Sequence, residues 1–207
     1  MPRRSATPQP NPFPDRLSLQ LATLVSGTPS GPGWAYEIKF DGYRILARIR
    51  DGEVRLFTRN GNDWTSKMAS LAREIGALPC KTAWIDGEVV VLDDRGLSSF
   101  NALQKALYRV TTESIDYFVF DLVYLDGRDL RGQEFAARRA KLERLLESHE
   151  GTRVRLSQIF AADGPSVLQS ACRLGHEGIV AKRTSSLYTS ARTKTWLKVK
   201  CQQRRRS

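Results

Sequence analysis

An α+β domain built mainly from antiparallel sheets is what this sequence predicts, and three observations predict it. Strand-like runs are joined by Asp-Gly and Asn-Gly turns as often as by helical segments. No internal repeat appears along the chain. Neither G-x-x-x-x-G-K-[ST] nor G-x-G-x-x-G occurs, so any phosphate would be held by side chains instead of by a glycine loop. At 207 residues the chain makes one large domain or two small ones. Either way a fold of this size buries roughly 70% of its unfolded surface.

The elements read in order as follows. Residues 1 to about 16 carry five prolines and no periodicity, which predicts a flexible or extended arm with Arg3 and Arg4 free to touch a polyanion. Leu17 to Val25 is apolar enough to pack against a sheet, and Gly27 to Gly33 is a loop. Trp34, Tyr36 and Ile38 alternate with smaller or polar neighbours, then Tyr43, Ile45, Ala47 and Ile49 alternate again, so Lys39 sits where two strands meet at a tight Asp41-Gly42 turn. Ile45 to Arg50, Asp51-Gly52 and Glu53 to Thr58 form the strongest hairpin signal, because Asp-Gly supplies the positive φ of a two-residue connection. Arg44, Arg48 and Arg50 lie on the polar face of its first strand, and Arg59 ends its second.

Residues 66 to 78 carry Met68, Leu71, Ala72 and Ile75 at helical spacing. Ala83 to Leu92 is an apolar strand interrupted by Asp86-Gly87-Glu88. A carboxylate embedded there is costly unless an arginine, a metal or a ligand hydroxyl meets Glu88. Ser98 to Leu107 reads as a short helix and Ile115 to Leu125 as the most apolar strand. Residues 133 to 148 read as a scaffold helix with a solvated face of Arg138, Arg139, Lys141, Glu143 and Arg144. Val154 to Phe160 is a strand, and Asp163 caps a helix running to Leu174. Glu177 to Arg183 and Thr193 to Lys200 are the last strands. Alternation in the second sends Lys194, Trp196, Lys198 and Lys200 to one face.

Composition narrows the partners. With 33 Lys+Arg against 22 Asp+Glu and a formal charge of +11, the chain repels itself at low salt and attracts polyanions, nucleic acid first and an anionic membrane surface second. No apolar run approaches the ~20 residues of a membrane span, and no hydrophobic segment follows the basic N-terminal residues, so a soluble intracellular protein is expected. Cys80, Cys172 and Cys201 are odd in number and far apart, and only two histidines occur, so neither a disulfide framework nor a structural zinc site is expected. His176 is read as a spacer.

A lone K-x-D-G is more often a surface lysine beside a turn. Here a positioned lysine, an arginine at a hairpin end, the embedded carboxylates Glu88 and Glu177, and a row of lysines together suit a polyphosphate with a divalent cation. Those blocks also match a family in their order. K-F-D-G-Y-R, F-T-R-N-G, I-D-G-E, Y-F-V-F-D-L, E-G-I-V-A-K-R and W-L-K-V-K resemble motifs I, Ia, III, IIIa, IV and V of the covalent nucleotidyltransferases. The wording is most similar to the ATP-dependent DNA ligase module of bacterial ligase D, which acts in non-homologous end joining, and the resemblance covers about residues 19 to 202.

The resemblance implies an adenylation domain over residues 17–202, followed by a basic tail at 203–207. It implies that Lys39 attacks the α-phosphate of ATP, expels pyrophosphate and carries AMP as a phosphoramidate. Glu37 would meet the adenine amino group, with Ile38 beside it at the nucleotide, and Phe120 would stack on the adenine ring, a contact worth about 1–3 kcal/mol. Arg44 and Arg59 would hold the ribose and later the DNA 5′-phosphate. Glu88 would serve the ribose hydroxyls or Mg²⁺ or Mn²⁺, Glu177 the metal, and Lys198 and Lys200 the α-phosphate. Asp41 reads as a turn and support residue. The implied substrate is nicked or broken double-stranded DNA, the implied partners are end-joining repair proteins, and the implied setting is a monomer in the bacterial cytoplasm, at the nucleoid. An RNA ligase, a GTP-using capping enzyme and a non-catalytic DNA-binding module remain as alternatives.

An unperturbed lysine is protonated and inert at neutral pH, so this chemistry needs neighbouring cations to favour the free amine. In the family an oligonucleotide-binding barrel with further basic residues follows motif V, and this sequence carries none after residue 202. By comparison with other cationic clamps on transferring phosphoryl groups, a chain without it is expected to be slower in the first step on the order of 10³-fold. The chain of 207 residues is therefore expected to seal a nicked duplex poorly. Sealing rates measured beside a two-domain ligase check this, and equal rates refute it.

Overall fold

The computed structural model describes residues 13–109, 111–149 and 151–201; the expectations for Arg3, Arg4 and the basic tail lie outside them. Two sheets form the centre. The larger contains β3 (Tyr43–Arg50), β4 (Glu53–Thr58), β5 (Thr82–Val91), β6 (Ile115–Leu125) and β7 (Arg128–Asp129) in the order β4-β3-β5-β6-β7, with β8 (Val154–Leu156) also paired to β6. The smaller runs β1-β11-β10-β2-β9, from β1 (Leu21–Val25), β11 (Arg192–Lys200), β10 (Gly178–Arg183), β2 (Trp34–Ile38) and β9 (Ile159–Phe160). Pairing is antiparallel except for β1 with β11 and β6 with β8. The helices are α1 (Ala69–Gly76), α2 (Phe100–Arg109), α3 (Phe135–Leu146) and α4 (Gly164–Leu174). An α+β domain of mainly antiparallel sheets is thus observed.

Strand alternation explains the layers. Ile45, Ala47 and Ile49 turn to one side of the larger sheet and pack with Leu71 and Ile75 of α1, Leu103 of α2 and Leu142 and Leu145 of α3. Their neighbours face the other way, where Leu46, Trp84 and Tyr124 meet Tyr188 and Trp196 beside the smaller sheet. Val167 and Ala171 of α4 cover that sheet's far face over Ile179, Ala181 and Val199. Each fully buried aliphatic side chain stabilises by about 1.5–3 kcal/mol, so the helix-covered face, with the largest cluster, carries most of the burial.

The Asp-Gly signals divide into two kinds. Asp51 and Gly52 have φ of 48° and 84°, and Asp126 and Gly127 have 42° and 78°, as two-residue hairpin turns require. Asp41-Gly42 is different. It is not a hairpin turn but the crossing from β2 in one sheet to β3 in the other, and Gly42 is required by contact: a Cβ there would lie 2.1 Å from the Val89 carbonyl oxygen.

Other expectations are corrected. Residues 13–16 of the expected arm are docked: Phe13 stacks edge-on to Tyr124 at 4.9 Å, the Trp84 indole donates to the Pro14 carbonyl at 3.0 Å, and Asp15 pairs with Arg50 at 2.8 Å. Residues 21–25 do not merely pack on a sheet but form its edge strand. The 66–78 helix is a 3₁₀ turn at Thr65–Met68 followed by α1. Residues 154–160 are two short strands in different sheets, β8 and β9. The α4 cap is as expected, with the Asp163 carboxylate accepting from the Ser166 N–H at 3.1 Å. A disulfide joins Cys172 to Cys201, because antiparallel β10 and β11 return the chain to the end of α4; Cys80 is free.

The charged face of α3 is the largest correction. Arg138 is fully buried, its Nε and Nη2 each donating at 2.8 Å to the equally buried Asp121 carboxylate and its Nη1 to the Gln133 and Ser186 carbonyls. A pair this buried is costly to break singly, since the survivor keeps its desolvation cost. Arg138→Met should lower stability by about 3–5 kcal/mol in urea unfolding, and adding Asp121→Leu should recover much of the loss.

Candidate active site

Between the sheets lies a cavity of about 240 Å³, lined by Glu37, Ile38, Lys39, Phe40, Arg44, Arg59, Glu88, Phe120, Lys182, Arg192, Trp196 and Lys198, with Leu21, Ala22 and Val180. Each sheet supplies one wall. β2 ends at its floor, so Lys39 enters where the chain leaves the smaller sheet, and its backbone N–H is fixed by the Gly178 carbonyl at 2.9 Å. Arg44 and Glu88 arrive opposite each other on β3 and β5, and Phe120 comes from β6.

Lys39 Nζ is hydrogen-bonded to Glu177 Oε2, and Lys200 Nζ reaches the other oxygen, Glu177 Oε1, at 2.9 Å. Burial alone raises the Glu177 carboxyl, but the hydrogen bonds from both lysines outweigh it and hold the group below its usual range. Burial, reinforced by the charge of Lys39, lowers the ammonium of Lys198.

The embedded carboxylates of β5 play different parts. Asp86, fully buried, takes the arginine: Arg44 Nε and Nη2 bind it at 2.9 and 2.6 Å, and the Tyr188 hydroxyl donates to it at 2.7 Å. Burial opposes the charge on Arg44, but Asp86 prevails and raises its pKa. Among the described residues no cation lies within ion-pair distance of Glu88, which faces the cavity. Burial pushes its carboxyl up to about 7 against the pull of Arg44 and Lys39. Of the openings left for Glu88 by the sequence, the arginine is removed.

Thus Lys39, Glu37, Ile38, Arg44, Arg59, Glu88, Phe120 and Lys198 converge on one cavity, with Glu177 and Lys200 at its edge. Lys194 does not join them and is exposed. The register between β1 and β11 jumps from Ala22↔Thr193 to Thr23↔Leu197, and this irregularity in β11 breaks the alternation on which its placement rested.

Lys182 is the functional candidate missed in the sequence. It is buried, its Nζ donates to Glu37 Oε1 at 2.9 Å, and it lies 4.2 Å from the Phe120 ring centre and 4.4 Å from that of Trp196. Glu37 Oε2 accepts from Ser157 at 3.0 Å, and Arg139 approaches within 3.8 Å. Burial lowers the Lys182 ammonium in spite of Glu37. The signal was present: a lysine inside the apolar strand G-I-V-A-K-R is as costly as a glutamate inside β5.

Comparison with known proteins agrees with this geometry. The sequence model of the ATP dependent DNA ligase domain matches residues 21–200. The multifunctional non-homologous end joining protein LigD of Pseudomonas aeruginosa is 46% identical over 202 residues, 98% of this chain and 24% of that protein, so the chain spans about a quarter of that relative's length. The ligase domain from M. tuberculosis LigD superposes with a TM-score of 0.74 at 33% identity, covering 88% of this chain and 60% of that one. A mycobacterial DNA ligase D complexed with ATP and MES superposes at 0.70, with 33% identity and coverage of 87% and 60%.

Glu88 gives a pH test. Its carboxyl titrates near 4.5 when unfolded and near 7 when folded, so between those values the native state holds the extra proton and stability falls as pH rises. Glu88→Gln should remove that fall and raise the melting temperature at and above pH 7, as scanning calorimetry across the window would show.

Proposed function

We propose an activity from one premise: this chain belongs to the family of ATP-dependent DNA ligase domains. The cavity binds ATP and Lys39 takes its AMP. Lys39 Nζ bonds to the α-phosphorus, the bond from that phosphorus to the bridging oxygen breaks, and pyrophosphate leaves with the electron pair. The ammonium must first shed a proton to solvent, a loss that neighbouring Lys198 and Lys200 favour, while Glu177 in contact with it orients the amine. In a second transfer the 5′-phosphate of nicked or broken DNA displaces the lysine, and in a third the adjoining 3′-hydroxyl displaces AMP to close the strand.

Each remaining residue has a place in this reading. Glu37, oriented by the hydrogen bond from Lys182, accepts from the adenine amino group, and Phe120 stacks on the ring. Arg44 and Arg59 take the ribose and then the DNA phosphate; Lys198 and Lys200 hold the α-phosphate. Glu88 and Glu177 fit Mg²⁺ or Mn²⁺. Among the described residues no group of three or more potential ligands gathers, and Mg²⁺ commonly uses one or two protein carboxylates with substrate oxygens completing its shell. When bound, that cation neutralises charge on the phosphoryl oxygens. We assign the work to break repair by a single copy alongside end-joining proteins in a bacterial cytoplasm, at the nucleoid. No helix among the described residues is long and apolar enough to cross a membrane.

The observation that carries the reading is the meeting of Lys39 with Glu177, Lys200 and Lys198 beside an aromatic-walled cavity. ATP labelled at its α-phosphate, supplied with Mn²⁺ or Mg²⁺, should leave acid-labile label on the chain, and Lys39→Ala should reduce it to background. Excess GTP should not compete; competition would favour the capping-type alternative. Salt-sensitive DNA binding without label would make the chain a binding module and sink the proposal.

A further inference from the structure

We propose that Cys172 and Cys201 form a thiol–disulfide exchange site for a low-molecular-weight thiol such as glutathione, and that its state sets how Glu177 and Lys200 are held against Lys39. The effect on Lys39 rests on the nucleotidyl-transfer reading above; the exchange site itself does not.

The bridge braces the edge of the active site. Cys201 directly follows Lys200, and its N–H donates to the Glu177 carbonyl at 2.9 Å. The segment between α4 and β10 carries Glu177: α4 ends at Gly175, held in the left-handed region at φ 98°. Gly178 then receives the Lys39 N–H. The disulfide therefore joins positions separated by 29 in sequence and closes a ring that contains Glu177, Lys182, Trp196, Lys198 and Lys200.

The site is also reachable. Both cysteines are only partly buried, and Cys201 lines a cleft of about 680 Å³ with Asp41, Ser98, His176, Glu177 and Lys200. Cys80 is free and likewise partly buried, and burial pushes its thiol up to about 11, which disfavours its thiolate.

The chemistry balances. A glutathione thiolate attacks one sulfur, the Cys172–Cys201 bond breaks, and one cysteine leaves as thiolate while the other holds a mixed disulfide. A second glutathione thiolate attacks the glutathione sulfur of that intermediate and frees the second cysteine. Two electrons pass from two glutathiones to the cysteine pair, and oxidised glutathione is released. Reduction then removes the covalent brace from the Glu177 segment and the end of β11.

The test equilibrates the full chain in glutathione buffers from oxidising to reducing. It measures cysteine state by alkylation and mass spectrometry, AMP transfer to Lys39 by α-phosphate label, and amide exchange at residues 175–178 and 200–201. The bridge should open and reform, reduction should slow labelling by about tenfold through misplacement of positioning groups, and amide exchange should quicken there. Cys172→Ser and Cys201→Ser should label at the reduced rate in every buffer, while Cys80→Ser keeps the response. Full reduction with neither labelling nor exchange altered overturns the proposal, as does a bridge that opens only on unfolding. If no state labels, the nucleotidyl-transfer reading fails and takes the effect on Lys39 with it; unchanged amide exchange would then overturn the brace as well.

Discussion

Four residues, 39–42, carry the chain from one sheet into the other, and the site depends on how narrow that passage is. Gly42 lies so close to the Val89 carbonyl that no side chain fits between them. The passage is anchored at its start by the bond from the Lys39 N–H to Gly178. A lysine on a longer loop would sweep through solvent; this one leaves a strand already paired to β10 and meets Glu177 from the segment just before it. Aiming the amine is thus a consequence of how the sheets are joined.

The same juncture explains why so much charge is buried. Arg44 with Asp86 and Tyr188, Arg138 with Asp121, and Lys182 with Glu37 all lie on or between the inner faces of the sheets. Replacing such pairs by apolar side chains often costs nothing in stability, so stability does not account for them. They line and back the cavity, where a fixed carboxylate or guanidinium supplies polarity that water would otherwise provide. Glu88 stands apart as the cavity-facing carboxylate without an ion-pair partner among the described residues, and burial raises its pKa against the pull of Arg44 and Lys39.

What was legible in the sequence follows from what is local. The hairpin at Asp51-Gly52, the cap at Asp163 and the length of β6 are set by neighbouring residues, and they came out as read. The candidate site was legible because its blocks keep a fixed order and because strand alternation places Glu37, Arg44, Glu88 and Lys198 on inner faces. Features set by distant partners were not. Arg138 and Arg139 look like the solvated side of α3 until Asp121, Ser157 and Glu37 are brought against them. Lys194 falls outside the row of lysines because of an irregularity that only pairing with β1 reveals. The Cys172–Cys201 bridge was hidden by an odd cysteine and by a separation that two paired strands close.

The parallel pairing of β1 with β11 has a consequence for how the chain comes together. Thr23 bonds to the Thr193 carbonyl across 170 positions, whereas the larger sheet grows mostly from near neighbours such as β3 with β4. Local contacts form early and long loops close late. The helix-backed half can therefore gather from nearby segments, whereas the wall bearing Lys198 closes only when two strands about 170 positions apart have met.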